Sequence, residues 1–343
     1  MLQNKRFRMV FLWAVVSLLG ICFSGVAAAG DKPMIWRLQS AWATSTGQHP
    51  AFQKMCDMIK QESNGRLEIK LFGPGEIVGT VEMFDAVVNG VLEMAGGSGI
   101  YNSGKIPEGL VEFGMPFALE NKAELDDFWL TYKDGEAFKI VQEAYRKRGA
   151  ELLAIHAGNS YGYMTTFPAT TTADFKGKKI RSFGFFGSIV QMMGGQPVSL
   201  PTEDQYLALQ QGTVDGTIFP YLAMQTMNLK EVAKHAILPP VLGSPTSNVY
   251  VSSKAWTKLP EDIKPIVIKY VRLQNEWYMA KEYPQEQEML ANPDKFGIEV
   301  HRMKPEEVAK LKAMGQKIWD GVSKRSEGTA KLIEMLRAYK AEK

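Results

Sequence analysis

Residues 150–168 read AELLAIHAGNSYGYMTTFP, and how they fold decides the architecture. AELLAIHAG (150–158) is a strongly apolar strand, and YGYMTTFP (161–168) reads as another extended segment. We take the first as a crossing between two domains. AKHAILPPVLG (233–243) and NVYVSSKAW (248–256) read as return strands. Strands that leave one domain and come back give a hinged two-lobe plan with a cleft between the lobes. The length agrees, because 343 residues exceed what one hydrophobic core usually supports. The expected division is a signal peptide over 1–29, a first part of lobe I over 30–153, and lobe II over 154–245. Residues 246–343 then supply a return strand, a long helix and C-terminal helices that complete lobe I.

Elsewhere short β patterns alternate with helical ones, which predicts an α/β fold with mainly parallel sheet. MIWRLQSAW (34–42), RLEIKLFG (66–73) and LEMAGGSG (92–99) read as strands. PAFQKMCDMIKQES (50–63) has apolar residues at helical spacing. GTVEMFDAVVNG (79–90) is a helix opened by Thr80 and closed by Gly90. KKIRSF, QPVSL and TVDGTIF are further strands. In TEDQYLALQQG, Thr202 and Gln205 have capping-box spacing and Gly212 stops the helix. The long helix beginning at LPEDIKP carries Pro265 in its first turn, where proline is tolerated. Pro284 is expected to kink or end it.

The N-terminus is expected to be a cleaved export signal. Lys5, Arg6 and Arg8 precede an apolar run, and AAAG (27–30) supplies small residues for cleavage. The protein is therefore expected in the periplasm. Without residues 1–29, which hold three of the 40 Lys and Arg and none of the 37 Asp and Glu, the chain is formally neutral. That balance gives no basic face for nucleic acid. Cys56 is then the only cysteine, which precludes an internal disulfide, and its apolar helical setting reads as core.

An enzyme needs a catalytic set. His49, His156, His235 and His301 show no metal-ligand spacing, and His235 and His301 read as solvent-edge residues. The glycine-rich stretch near residue 97 lacks both the phosphate-loop and the dinucleotide signatures. GNSYG (158–162) imitates a nucleophile elbow around Ser160. That elbow requires a strand-to-helix turn, whereas an extended segment follows here.

KGKKIRSFG (176–184) is more informative. Arg181 follows Ile180 and precedes the aromatic run Phe183-Gly184-Phe185-Phe186-Gly187. A guanidinium placed where a buried strand runs out into a loop has two explanations, an ion pair with a neighbouring acid or a grip on an anionic ligand.

Four separated stretches carry a resemblance: SNGRLEIKLFGPGEIVGTVEMFDAVVNGVLEMAGG (63–97), DFKGKKIRSFG (174–184), GGQPVSLPTEDQYLALQQGTVDG (194–216) and NVYVSSKAWTKLPEDIKPIV (248–267). In this order they resemble the periplasmic solute receptors of TRAP transporters, the DctP type, over essentially the whole chain after the leader. QSAW (39–42), YNSGKIPEG (101–109) and MPFAL (115–119) lean toward the branch that binds 2-oxo acids and other monocarboxylates. The resemblance implies a periplasmic-binding-protein-like two-lobe fold. It also implies capture of a small organic acid and delivery to membrane subunits of the transporter, with no cofactor.

The family's carboxylate-gripping arginine falls on Arg181. Phe219, in DGTIFP, stands where the sialic-acid and dicarboxylate binders carry polar ligand contacts. Tyr163 and Met164 stand where the sialic-acid branch has a second arginine. Ile218-Phe219 cannot supply the carboxylate that supports a bound cation in the 2-oxo-acid branch, so no metal is expected there. The expected enclosure is aromatic, drawn from Trp42, Tyr101, Tyr161, Tyr163, Phe183 and Phe219. Gln39, Asn102 and Asn159 are candidate hydrogen-bonders. The alternatives are a sensory protein of the same architecture and an exported hydrolase built on Ser160.

Overall fold

The computed structural model describes residues 32–343, so the expected leader lies outside the described residues. Two sheets organise the chain. The first holds β1 (Met34–Ser40), β2 (Leu67–Phe72), β3 (Met94–Gly97), β4 (Ala150–Ala157) and β10 (Thr246–Ser252), in the order β2-β1-β3-β10-β4. β1 runs parallel to β2 and β3, and β10 is antiparallel to β3 and β4. The second sheet holds β5 (Tyr161–Thr165), β6 (Lys179–Arg181), β7 (Gln196–Val198), β8 (Gly216–Pro220), β9 (His235–Leu242) and β11 (Glu299–Arg302). Its order is β11-β9-β5-β8-β6-β7. Helices cover the sheets and bury two apolar clusters around each. Buried Cys56 belongs to one of them, and burial pushes its thiol up to about 12.

Two antiparallel crossings join the sheets: 158–160 carries β4 into β5, and 243–245 carries β9 into β10. They touch where the Gly158 amide donates to the Pro245 carbonyl at 2.8 Å. The third crossing is the helix Lys264–Ala291, which starts beside the first sheet and leads to β11 at the edge of the second. The sequence division placed all of 246–343 with the first lobe. β11 instead pairs with β9 in parallel, because the long helix carries the chain past the crossing segment before it turns back.

The helix also runs through Pro284 to Ala291, where the sequence predicts a kink or an end. Proline removes one backbone donor, but anchors on either side of it hold the helix. Glu282 accepts from the Gly47 amide at 2.9 Å and from Asn159 Nδ2 at 3.0 Å, and Glu286 accepts from the Ser160 amide at 3.2 Å. Two expected caps also differ. Thr80 sits inside a short 3-10 turn, Thr80–Glu82, that precedes the helix Met83–Asn89. Thr202 turns its hydroxyl away from the Gln205 amide and toward Arg181.

Gly243 lies at the return crossing, and any Cβ there would be driven into the Glu120 backbone. Backbone cannot yield as a flexible side-chain tip can, so overpacking costs about 1–3 kcal/mol. Gly243→Ala is expected to lower the urea midpoint by a corresponding amount with an unchanged slope. An unchanged midpoint would show that the crossing has room.

Candidate functional site

Arg181 ends β6, a parallel strand set between β7 and β8 and registered opposite Val198 and Thr217. The C-terminal ends of parallel strands are where open α/β sheets bind ligands. Ile180 and Arg181 are both buried, while Lys179 is exposed at the strand's start. Arg181 itself is 5% exposed.

A buried guanidinium must find acceptors for five N–H groups. Nε donates to the Leu200 carbonyl at 3.2 Å and Nη2 to Thr202 Oγ1 at 3.3 Å. Nη1 is buried with no partner. Among the described residues no carboxylate pairs with it, so the structural ion pair is absent and the outer edge of the fork is unspent. Burial pulls the group below its ordinary value. Tyr161, then Tyr101 and Glu203, act in the opposite sense. It stays charged, because arginine does not deprotonate in proteins.

Its setting is aromatic. The guanidinium carbon lies 5.3 Å from the Phe183 ring centre and 5.4 Å from that of Phe219, within cation–π range of both. Tyr161 stands 5.8 Å from Phe219. Tyr161 and Tyr101 both feel the arginine's charge, although burial is the larger influence on each and raises both phenols. Tyr101 comes from the short helical turn Gly99–Asn102 that follows the first sheet's β3; the residue is 37% exposed, and it is the phenol end that is buried.

The two halves meet around this point. Ile100 of that turn packs over Gly184, where an added Cβ would lie 3.2 Å from Ile100 Cδ1. Phe113 inserts among Tyr161, Phe183, Phe185 and Phe186 at centroid separations of 5.9, 6.4, 6.3 and 6.3 Å.

Arg181, Phe183, Phe219, Tyr161 and Tyr101 are therefore brought together. Other expected contacts bond or pack elsewhere, although Trp42 Nε1, Asn159 Oδ1 and Tyr163 Oη are buried without a partner. Gln39 accepts from the Ile77 and Val78 amides, both at 3.1 Å, and donates to the Val78 carbonyl at 2.6 Å, so it pins a loop. Asn102 donates to the Tyr145 hydroxyl at 3.1 Å, beside buried Glu112. Asn159 donates to the Tyr278 hydroxyl and to Glu282. Tyr163 packs against Phe175 at 4.9 Å in the core. Trp42 is half-buried against the cluster of Trp36 and Phe52, with its indole N–H unpartnered. These five side chains do not contact the guanidinium.

Ser160 is no elbow nucleophile. It lies between two strands and donates its hydroxyl to buried Glu286. Sequence reasoning missed Thr202, Leu200 and Phe113. Thr202 was visible, but its spacing to Gln205 suggested a cap. Gln205 instead accepts from the Thr217 hydroxyl at 2.6 Å and donates to the Thr202 carbonyl at 3.0 Å, which fixes the loop that faces Arg181.

The family profile described as DctP, bacterial extracellular solute-binding protein, family 7, matches residues 38–325. The chain belongs to this family. Its members are exported solute receptors that work with transporter membrane subunits. The protein is 28% identical over 244 residues to a monocarboxylate 2-oxoacid-binding periplasmic protein of Nostoc, an alignment that spans 69% of this chain and 65% of that one. It is 24% identical over 344 residues to the C4-dicarboxylate-binding periplasmic protein DctP of Rhodobacter capsulatus, across 96% of this chain and 98% of that one. A TRAP periplasmic solute-binding protein of Chromohalobacter salexigens, solved with (S)-(+)-2-amino-1-propanol, superposes with a TM-score of 0.81 at 22% identity. The superposition covers 90% of this chain and 96% of that one. These likenesses agree with the two-sheet α/β fold. Among the described residues no helix is long and apolar enough to cross a membrane.

The long helix carries a titratable group against the crossing segment. Glu286 is fully buried, and desolvation raises its carboxyl to about 7. Hydrogen bonds from Ser160 lower it, and neighbouring Glu282 raises it. A folded-state value above the unfolded one means that the folded protein binds the extra proton. Stability is then greatest below about pH 4.5 and is lost as pH rises through about 7. Glu286→Gln is expected to flatten the fall in stability between pH 5 and 8 by on the order of 2 kcal/mol. Parallel pH profiles for the two proteins would show that Glu286 does not titrate in this range.

Proposed function

We propose that this protein captures a small monocarboxylate with an apolar or aromatic body, grips it through Arg181, and delivers it to TRAP-type membrane subunits from the periplasm. The observation that carries this reading is a buried guanidinium with an unspent donor edge and no acidic partner, flanked by two phenyl rings. A carboxylate fits that edge two bonds at a time, and each charge-assisted bond contributes about 1.5–3 kcal/mol. Phe219 and Phe183 offer apolar surface to the rest of the ligand. No second cation stands beside Arg181 among its contacts, which favours one carboxylate over two. The Nostoc relative, named for 2-oxoacid binding, points to the same chemistry.

In this reading the two sheets move as lobes about 158–160 and 243–245. Lobe II supplies Arg181, Phe183, Phe219 and Tyr161, and lobe I supplies Tyr101 and Phe113. A ligand that touches both sides only when they are shut shifts the equilibrium toward the closed form. The cleavable leader expected over 1–29 accounts for export.

Arg181→Met tests the assignment. A buried charge replaced by an apolar side chain of similar length leaves stability unchanged or raised. The variant is expected to keep its thermal midpoint without ligand and to lose all thermal shift in a screen of 2-oxo, hydroxy and aromatic monocarboxylates. For the native protein, a ligand at 100 times its Kd should add about 2.7 kcal/mol. Affinity retained within tenfold in Arg181→Met would refute the role of Arg181.

A further inference from the structure

Far from the arginine, the edge of the second sheet gathers a group that the cleft does not use. β11 lies parallel to β9 with Glu299 registered opposite His235 and His301 opposite Ile237. Glu299 and His301 are two residues apart on a strand, so both project from the same face. His235, at the head of β9, meets them there. His235 Nδ1 lies 2.8 Å from His301 Nε2 and 3.2 Å from Glu299 Oε2, and the last two atoms are 3.6 Å apart.

We propose that His235, Glu299 and His301 form a binding site for a divalent first-row transition ion, zinc foremost, which clasps edge strand β11 to β9. Three basic atoms converge on one point. A single ring proton can satisfy one edge of that triangle and leaves the carboxylate facing a nitrogen lone pair across another. A cation satisfies all three edges at once. The size agrees. A circle through the three atoms has a radius of about 1.9 Å, and three donors of a tetrahedral ion at ligand distances of ~2.0–2.1 Å lie on a circle of about 1.9 Å.

The donor set selects the ion. Two imidazoles and a carboxylate suit zinc, nickel or copper and disfavour magnesium and calcium, which take oxygen ligands. Lys234 holds the other carboxylate oxygen, Oε1, at 2.6 Å and so orients Oε2 toward the imidazoles. His235 is buried, His301 half-buried and Glu299 exposed, so the site opens to solvent on the Glu299 side and leaves a fourth position for water. Spacing along the chain hides the cluster, since the two histidines are 66 residues apart and only the β9–β11 pairing unites them.

The test is calorimetric titration of zinc chloride into tag-free, chelator-stripped protein, with cobalt(II) as a spectroscopic probe. One equivalent is expected to bind at micromolar Kd or tighter, with visible absorption of four-coordinate cobalt and a raised thermal midpoint. Magnesium chloride should give no heat. His301→Gln and Glu299→Gln change half-buried and exposed edge positions, and a native circular dichroism spectrum confirms their fold. Both are expected to weaken zinc at least tenfold and to abolish the cobalt band. Substoichiometric or unsaturable binding, or equal affinity in the folded variants, overturns the proposal. Carboxylate affinity in the presence and absence of zinc separates this site from the cleft: the edge site predicts no change, and a zinc requirement for carboxylate binding overturns it.

Discussion

The arrangement of the second sheet is organised around a positive charge held out of water without a counter-charge. Transferring an ion into a protein interior costs several kcal/mol unless it is paired and hydrogen-bonded. Arg181 meets that cost only in part, through the Leu200 carbonyl, the Thr202 hydroxyl and the faces of Phe183 and Phe219. Each of these comes from a segment placed by the parallel triplet β7-β6-β8. β7 leads into the loop with Leu200 and Thr202, β8 carries Phe219, and β6 runs into Phe183. One buried nitrogen, Arg181 Nη1, remains without an acceptor.

The crossing between the sheets is constrained by the long helix. Asn275, Tyr278, Glu282 and Glu286 recur at intervals of three and four residues, which places them on one helical face. Asn275 receives the Ala157 amide at 3.1 Å and donates to the Ala157 carbonyl at 2.8 Å. Tyr278 and Glu282 take Asn159, and Glu286 takes Ser160. The helix thus reads the crossing segment residue by residue. The helix satisfies backbone groups of Ala157 and Ser160 and the side chain of Asn159, whose Oδ1 stays unpartnered. This stripe is polar where a core-facing helix is normally apolar, because its partner is backbone in transit.

Much of this was legible in the sequence. The apolar run 150–158 and the alternation of strand and helix patterns are local signals, and every strand expected from them forms. Arg181 stood out in the sequence with two readings, an ion pair or a ligand grip, and the structure removes the first by giving it no carboxylate partner among the described residues. Gln39, Asn102 and Asn159 were expected to meet a ligand, and the structure gives each a protein partner. A buried amide is equally suited to a ligand and to a loop, and only the fold decides which acceptors it meets. Thr202 misled because a capping spacing depends on where its hydroxyl turns, and the buried cation drew it away from the helix end. His235 and His301 read as separate edge residues because register between β9 and β11 is a long-range property. Pro284 lacked the expected effect because side-chain anchors on both sides outweigh one missing backbone donor.

These constraints bear on how a cleft closes. An apolar ligand body gains from Phe183 and Phe219 whether or not the lobes are together, so that contact contributes equally to open and closed forms and cannot drive closure. In the proposed reading the differential terms come from Tyr101 and Phe113, on the helical turns Gly99–Asn102 and Gly109–Phe113 between β3 and β4. Phe113 sits among the second sheet's aromatics, and a contact of that kind favours the closed arrangement whether or not a ligand is bound. Arg181 acts in the opposite direction. Water can reach an unsatisfied guanidinium in an open cleft, whereas a closed and empty cleft strands it. Charge disfavours the empty closed state, and the anion removes that penalty. If Arg181 grips a carboxylate as proposed, selectivity for a loaded receptor over an empty one would follow from this single buried nitrogen that the protein leaves without an acceptor.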